Sequence, residues 1–83
     1  MNERYQTMTG TIYYTVDKQH PDYNCIPEPE KEQSFSDTYR FDTYYYGRIT
    51  REQMKTYIKN DLRLVAGGGY DSKHIHKVRF EFS

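Results

Sequence analysis

Residues 5–16, YQTMTGTIYYTV, alternate with a period of two. Met8, Gly10, Ile12, Tyr14 and Val16 fall on one side, and Tyr5, Thr7, Thr9, Thr11, Tyr13 and Thr15 on the other. Thr, Tyr and β-branched residues suit a half-buried pleated surface, so this stretch reads as a strand with the first set facing a core. Gly10 inside it marks a bulge or a close backbone approach. Residues 34–46, SFSDTYRFDTYYY, alternate likewise, with Phe35, Tyr39, Phe41 and Tyr45 on one face and Thr38, Arg40, Asp42, Tyr44 and Tyr46 on the other. They predict a second strand, ended by Gly47. The tail HIHKVRFEFS predicts a third, with Val78, Phe80 and Phe82 inward and Lys77, Arg79 and Glu81 outward.

The period changes between the second and third strands. Thr50 is an N-cap residue with Gln53 three positions later, the pattern of a reciprocal capping box. Met54, Ile58, Leu62 and Val65 then form a narrow stripe at helical spacing, flanked by Tyr57 and Leu64. Gly67-Gly68-Gly69 stops the helix, which spans about residues 50–66. Such a helix is about 25 Å long and returns the chain across the sheet. The third strand can then join the free edge of the first. The expected fold is a two-layer α+β domain covering residues 1–83: ββαβ, a three-stranded antiparallel sheet of order 2-1-3, one helix on one face. The other sheet face is left uncovered. Residues 17–33, with Pro21, Pro27 and Pro29 and many acids, predict a long, mobile loop.

Composition narrows the function. Ile, Leu, Val and Phe supply only fourteen of 83 residues, so the ten tyrosines must carry much of the burial. Nothing approaches 18 consecutive apolar residues, and the N-terminal MNERYQTMTG lacks a signal-like apolar run, so a soluble cytoplasmic protein away from membranes is expected. Twelve bases balance twelve acids, yet residues 17–42 hold seven acids against three bases, and residues 48–79 hold eight bases against three acids. Either the halves neutralise one another in the fold or one of them is an interaction surface.

The chemistry-bearing residues point away from catalysis. The glycine run follows the helix instead of preceding it, so it faces carbonyls and cannot cradle a phosphate. His74 and His76, two apart on a strand, point the same way and could give two metal ligands, with Asp71, His20 or Cys25 as a third. Sharing parity with Val78, they are expected at the start of the core face as packing or surface histidines, with no metal and no cofactor. Cys25 lacks a placed base and lies among acids, which disfavour a thiolate. No Gly-x-Ser-x-Gly or comparable constellation is present, and a non-enzymatic protein is expected.

Two surfaces remain. Tyr5, Tyr13, Tyr44 and Tyr46 share the uncovered face with Arg40 and Arg79, the residue types that dominate interface hot spots. Arg51, Lys55, Lys59 and Arg63 stand four apart along one side of the helix, a row of about 18 Å. Together they predict a small protein-protein interaction module with an acidic protein partner, of the kind expected of a phage or mobile-element accessory or inhibitor protein. The alternative is a small single-stranded nucleic-acid binder that stacks bases on the exposed sheet tyrosines and uses the basic helix row. The second strand, at a sheet edge, also predicts a weak or moderate homodimer through that edge or through the tyrosine face.

Overall fold

A computed structural model of the chain describes residues 4–69 and 71–83, and for Tyr46 the backbone alone. Among these residues the order is β1 (Tyr5–Val16), a 3-10 turn (Tyr23–Cys25), β2 (Gln33–Asp42), α1 (Thr43–Tyr46), α2 (Arg51–Ala66) and β3 (Ile75–Phe82). The strands form an antiparallel sheet of order β2-β1-β3, and α2 covers one face of it. This is the α+β arrangement that the alternation and the return helix require.

α2 starts as its sequence dictates. Thr50 accepts from the Gln53 amide at 3.2 Å, and the Gln53 side chain accepts from the Thr50 amide at 2.9 Å, so two otherwise unpaired donors are satisfied. Met54, Ile58, Leu62 and Ala66 face the sheet. Val65, expected on this stripe, is 47% exposed, because strict four-residue steps bring Ala66 over the sheet instead. The core is Met8, Ile12, Phe41, Met54, Ile58, Leu62, Ala66 and Ile75, with Tyr14, Val16, Tyr39, Ile49, Val78, Phe80 and Phe82 packed around it. At the far end, Gly68 and not Gly67 takes the left-handed conformation, at φ 94°. The amides of Gly67, Gly68 and Gly69 close onto Arg63, Val65 and Leu64 carbonyls.

β2 is shorter than its alternation predicts. The Asp42 carboxylate accepts the Tyr44 amide at 2.9 Å and the Thr43 amide binds the Arg4 carbonyl at 2.7 Å, so residues 43–46 coil into α1. A capping carboxylate outweighs the strand preference of three tyrosines. Tyr45, expected in the core, is 76% exposed, and Tyr44 is 79% exposed and off the sheet.

The third strand is reversed in part. Tyr13 pairs with Arg79 but Thr15 pairs with His76, so β3 spends two residues, Lys77 and Val78, opposite Tyr14 alone. Lys77 accommodates this bulge at φ 54°. Parity therefore switches: Ile75 enters the core, and His74 and His76 leave the core face where sequence parity put them.

The first half of the 17–33 loop is anchored. His20 is buried, its amide bonds the Asp17 carbonyl at 3.1 Å, and Pro21 lies against Gly68.

Gly10 sets the distance between sheet and helix. A Cβ there would collide with Ile58 Cγ2 and meet Leu62 Cδ1 at 3.2 Å, and both partners are fully buried. Gly10→Ala is therefore expected to lower the unfolding free energy by about 1–3 kcal/mol, read from urea denaturation midpoints. Relief of the left-handed strain at the bulge predicts that Lys77→Gly raises stability and Lys77→Val lowers it, each by about 1 kcal/mol on the same assay.

Candidate interaction surfaces

The uncovered sheet face runs along β1. A hydroxyl ladder occupies its middle: Thr9 and Thr38 meet at 2.8 Å, and Thr11 and Ser36 at 2.7 Å. Aromatic-cation pairs close both ends. Arg40 lies over the Tyr5 ring at 4.0 Å, and Arg79 over the Tyr13 ring at 3.8 Å. The eight-residue separation puts these pairs about 27 Å apart. Arg79 is further held by Glu32 at 3.3 Å and Glu81 at 3.1 Å, and Glu81 accepts from the Tyr13 hydroxyl at 3.2 Å. The negative charge of Glu81 raises the Tyr13 phenol above its ordinary value. Tyr44 sits beyond Tyr5 on α1, with Arg4 near both rings at 5.4 and 5.6 Å. Arg4 also forks onto Asp42, at 3.0–3.3 Å, which holds that carboxyl below its usual range. The Tyr46 side chain lies outside the described residues. Tyr5, Tyr13, Arg40 and Arg79 thus share one face, but their rings and guanidiniums already engage one another.

The basic row has a different setting. Lys55 stands 5.6 Å from the Phe82 ring; Lys59 and Arg63 stand 5.9 and 5.4 Å from Phe80. Stems packed on half-buried phenylalanines with charged heads in water line the β3 flank of α2. The acidic loop does not fold over them. Glu28 pairs with Lys31 at 3.0 Å and Glu32 with Arg79, and among the described residues no carboxylate of the loop pairs with Arg51, Lys55, Lys59 or Arg63. Glu52, at 3.6 Å from Lys55, is the row's neutralising contact.

The β2 flank of α2 is aromatic. Tyr57 packs edge-on against Phe41 and Tyr39, and the Tyr39 hydroxyl donates to Asp61 at 2.6 Å. Burial and that carboxylate raise the Tyr39 phenol, so it remains a donor. A cleft of about 400 Å³ opens here, lined by Tyr39, Arg40, Phe41, Arg48, Ile49, Gln53 and Tyr57. Its loop wall is fixed by Gln6, whose side-chain amide exchanges two hydrogen bonds with the Ile49 backbone, at 3.1 and 3.2 Å.

The histidines form no metal centre with the partners expected of them. Among the described residues no three His, Cys, Asp or Glu side chains are placed to hold a metal ion. Cys25 is exposed in the 3-10 turn. His20 caps α2: its Nδ1 accepts the Asp22 amide at 3.0 Å, so Nε2 carries the proton donated to the Ala66 carbonyl at 2.6 Å. His74 and His76 converge instead on Asp17, a residue that no motif or spacing in the chain singles out. Its carboxylate meets His74 Nδ1 at 3.1 Å and His76 Nε2 at 2.9 Å, and accepts the Gln19 amide at 2.9 Å. Only the bulge at Lys77, invisible in the alternation, brings these groups together.

These bonds, led by that from His76, hold the Asp17 carboxyl down at about 2. A depressed folded-state value stabilises the fold above the ordinary aspartate range, near 4, and the contribution disappears as pH falls through about 2. Acid titration of the melting temperature is therefore expected to steepen between about pH 4 and 2, and Asp17→Asn to flatten that limb. An unchanged limb would exclude Asp17 as its source.

Comparison of the chain with protein-family models, with curated proteins and with solved structures finds no match, so its role rests on these surfaces alone.

Proposed function

We propose that the protein is a non-enzymatic interaction module, which docks an acidic protein surface on the basic side of α2. The observation that carries this reading is a row that the acidic loop leaves uncompensated: Lys55, Lys59 and Arg63, in line with Arg51, border Phe80 and Phe82, Glu52 pairs with Lys55 alone, and Glu28 and Glu32 of the loop are engaged with Lys31 and Arg79. Apolar rings between cationic heads give a surface both contact area and charge, the composition that favours a protein partner over bulk solvent. Occupying such a partner is how an accessory or inhibitory protein of a phage or mobile element acts, and the cytoplasm is where we place it.

The nucleic-acid alternative has weaker support. Base stacking needs free ring faces, and those of Tyr5 and Tyr13 are covered by Arg40 and Arg79.

The double variant Lys55→Glu, Lys59→Glu tests the proposal. Loss of the two ring contacts and of the Glu52–Lys55 pair, about 0.5 kcal/mol each, is offset in part because the new carboxylates stand four residues from Arg51 and Arg63, so folding stability is expected within about 1 kcal/mol of wild type. Affinity capture from cytosol at low salt should retain an acidic protein on the wild type and lose it on the variant. Equal retention by both sinks the proposal. Salt-sensitive binding of a labelled oligonucleotide by the wild type puts the nucleic-acid reading in its place.

A further inference from the structure

The opposite flank of α2 carries a second site, independent of the basic row. β2 pairs with β1 on one side only, so its other side is an open edge. The direction of its backbone groups follows from β1. Thr9 exchanges both backbone bonds with Ser83, at 2.9 Å each, so Thr38 opposite it has its amide and carbonyl turned outward. By alternation the same holds for Ser34, Ser36 and Arg40. At Thr38 the outward amide is already taken, donating to the Asp37 carboxylate at 2.8 Å. The edge is thus blocked in its middle and open at its Arg40 end.

That open end coincides with the aromatic cleft. Phe41 is buried at its floor, Tyr39 and Tyr57 form its walls, and Arg40 and Arg48 stand at its rim. Among the described residues neither arginine has a carboxylate within ion-pair distance, whereas Arg4 and Arg79 both do. A strand added beside β2 would send alternate side chains to opposite faces. Those on the helix side fall onto Phe41, Tyr39 and Tyr57, and those on the other side fall beside Arg40.

We propose that the β2 edge and this cleft bind an extended peptide segment of alternating apolar and acidic residues. The backbone adds as a fourth strand at the Arg40 end, apolar side chains fill the cleft, and carboxylates pair with Arg40 and Arg48. Charge complementarity selects this occupant: two guanidiniums without a carboxylate partner among the described residues repel the matching end of a basic strand.

A fluorescein-labelled octapeptide alternating Val and Glu is the probe, with anisotropy as the readout. Saturable binding is expected, about tenfold weaker for the Gln counterpart of the peptide and for Arg48→Ala, and lost when the peptide amides facing β2 are methylated. Arg40→Ala provides a second variant should Arg48→Ala fail to fold, and the methylated peptide tests strand addition on the wild type itself. Absence of saturable binding overturns the proposal, as does equal affinity for the Glu and Gln peptides. Binding that tracks Lys55→Glu, Lys59→Glu instead of Arg48→Ala places the peptide on the basic row and also overturns it. A sedimenting dimer whose β2 amides resist hydrogen exchange without peptide gives the edge to a second copy of the chain, with the same consequence.

Discussion

The seat of α2 on the central strand depends on a missing side chain. Without a Cβ at Gly10, Ile58 and Leu62 reach down to the β1 backbone, and the helix axis settles over the middle of a sheet only three strands wide. Close packing leaves no freedom to slide, since both side chains are fully buried. A centred helix cannot cover either flank. On the β2 side it leaves Tyr39, Phe41 and Tyr57 around a cleft, and on the β3 side it leaves Phe80 and Phe82 under a fringe of cations. Both candidate surfaces are consequences of one contact.

A second constraint fixes the far end of the sheet. The bulge at Lys77 turns β3 by one residue, which lets Ile75 close the core and aims His74 and His76 at Asp17. Asp17 in turn bends the chain out of β1 through the Gln19 amide, and the following residues carry His20 to the end of α2. A loop with few large apolar residues is therefore tied down at its start by polar contacts. Its remainder contributes Glu32 to Arg79 on the sheet face, away from the helix, while Glu28 pairs with Lys31 within the loop.

How much of this could be read in advance follows from the range of each interaction. Capping by Thr50 and Gln53, the stripe from Met54 to Leu62 and the alternation of β1 are local in sequence, and all three appear as expected. The sheet order followed from one return helix of the right length. What escaped was settled at a distance or by a competing local bond. Asp42 reaches two residues forward to the Tyr44 amide, and that bond, with the one from the Thr43 amide to the Arg4 carbonyl, removes Tyr44 and Tyr45 from a strand their side chains favour. The Lys77 bulge depends on pairing with Tyr14, 63 positions earlier, and no periodicity within β3 records it. The histidines were visible as a pair, yet their partner was not, because parity counted along an unbulged strand pointed them at the wrong face.

The same argument bears on the charge segregation of the chain. Equal numbers of acids and bases would allow complete internal pairing, but pairing needs proximity, and the topology brings Arg79, and not the bases of α2, to the acidic loop. The acids of β2 and its preceding loop lie beside the sheet face, where Arg4 and Arg79 meet them. The bases of α2 lie beyond the β3 flank, across the thickness of the sheet from those acids. Exposed charges are screened over about 8–10 Å at physiological salt, and among the described residues no loop carboxylate forms an ion pair with the row. Three cations packed on two phenylalanines, and two guanidiniums rimming an aromatic cleft, therefore present positive charge to the surroundings on a chain whose net charge is zero. A partner recognises this local arrangement, and for that reason the balanced total says little about the charge of what binds.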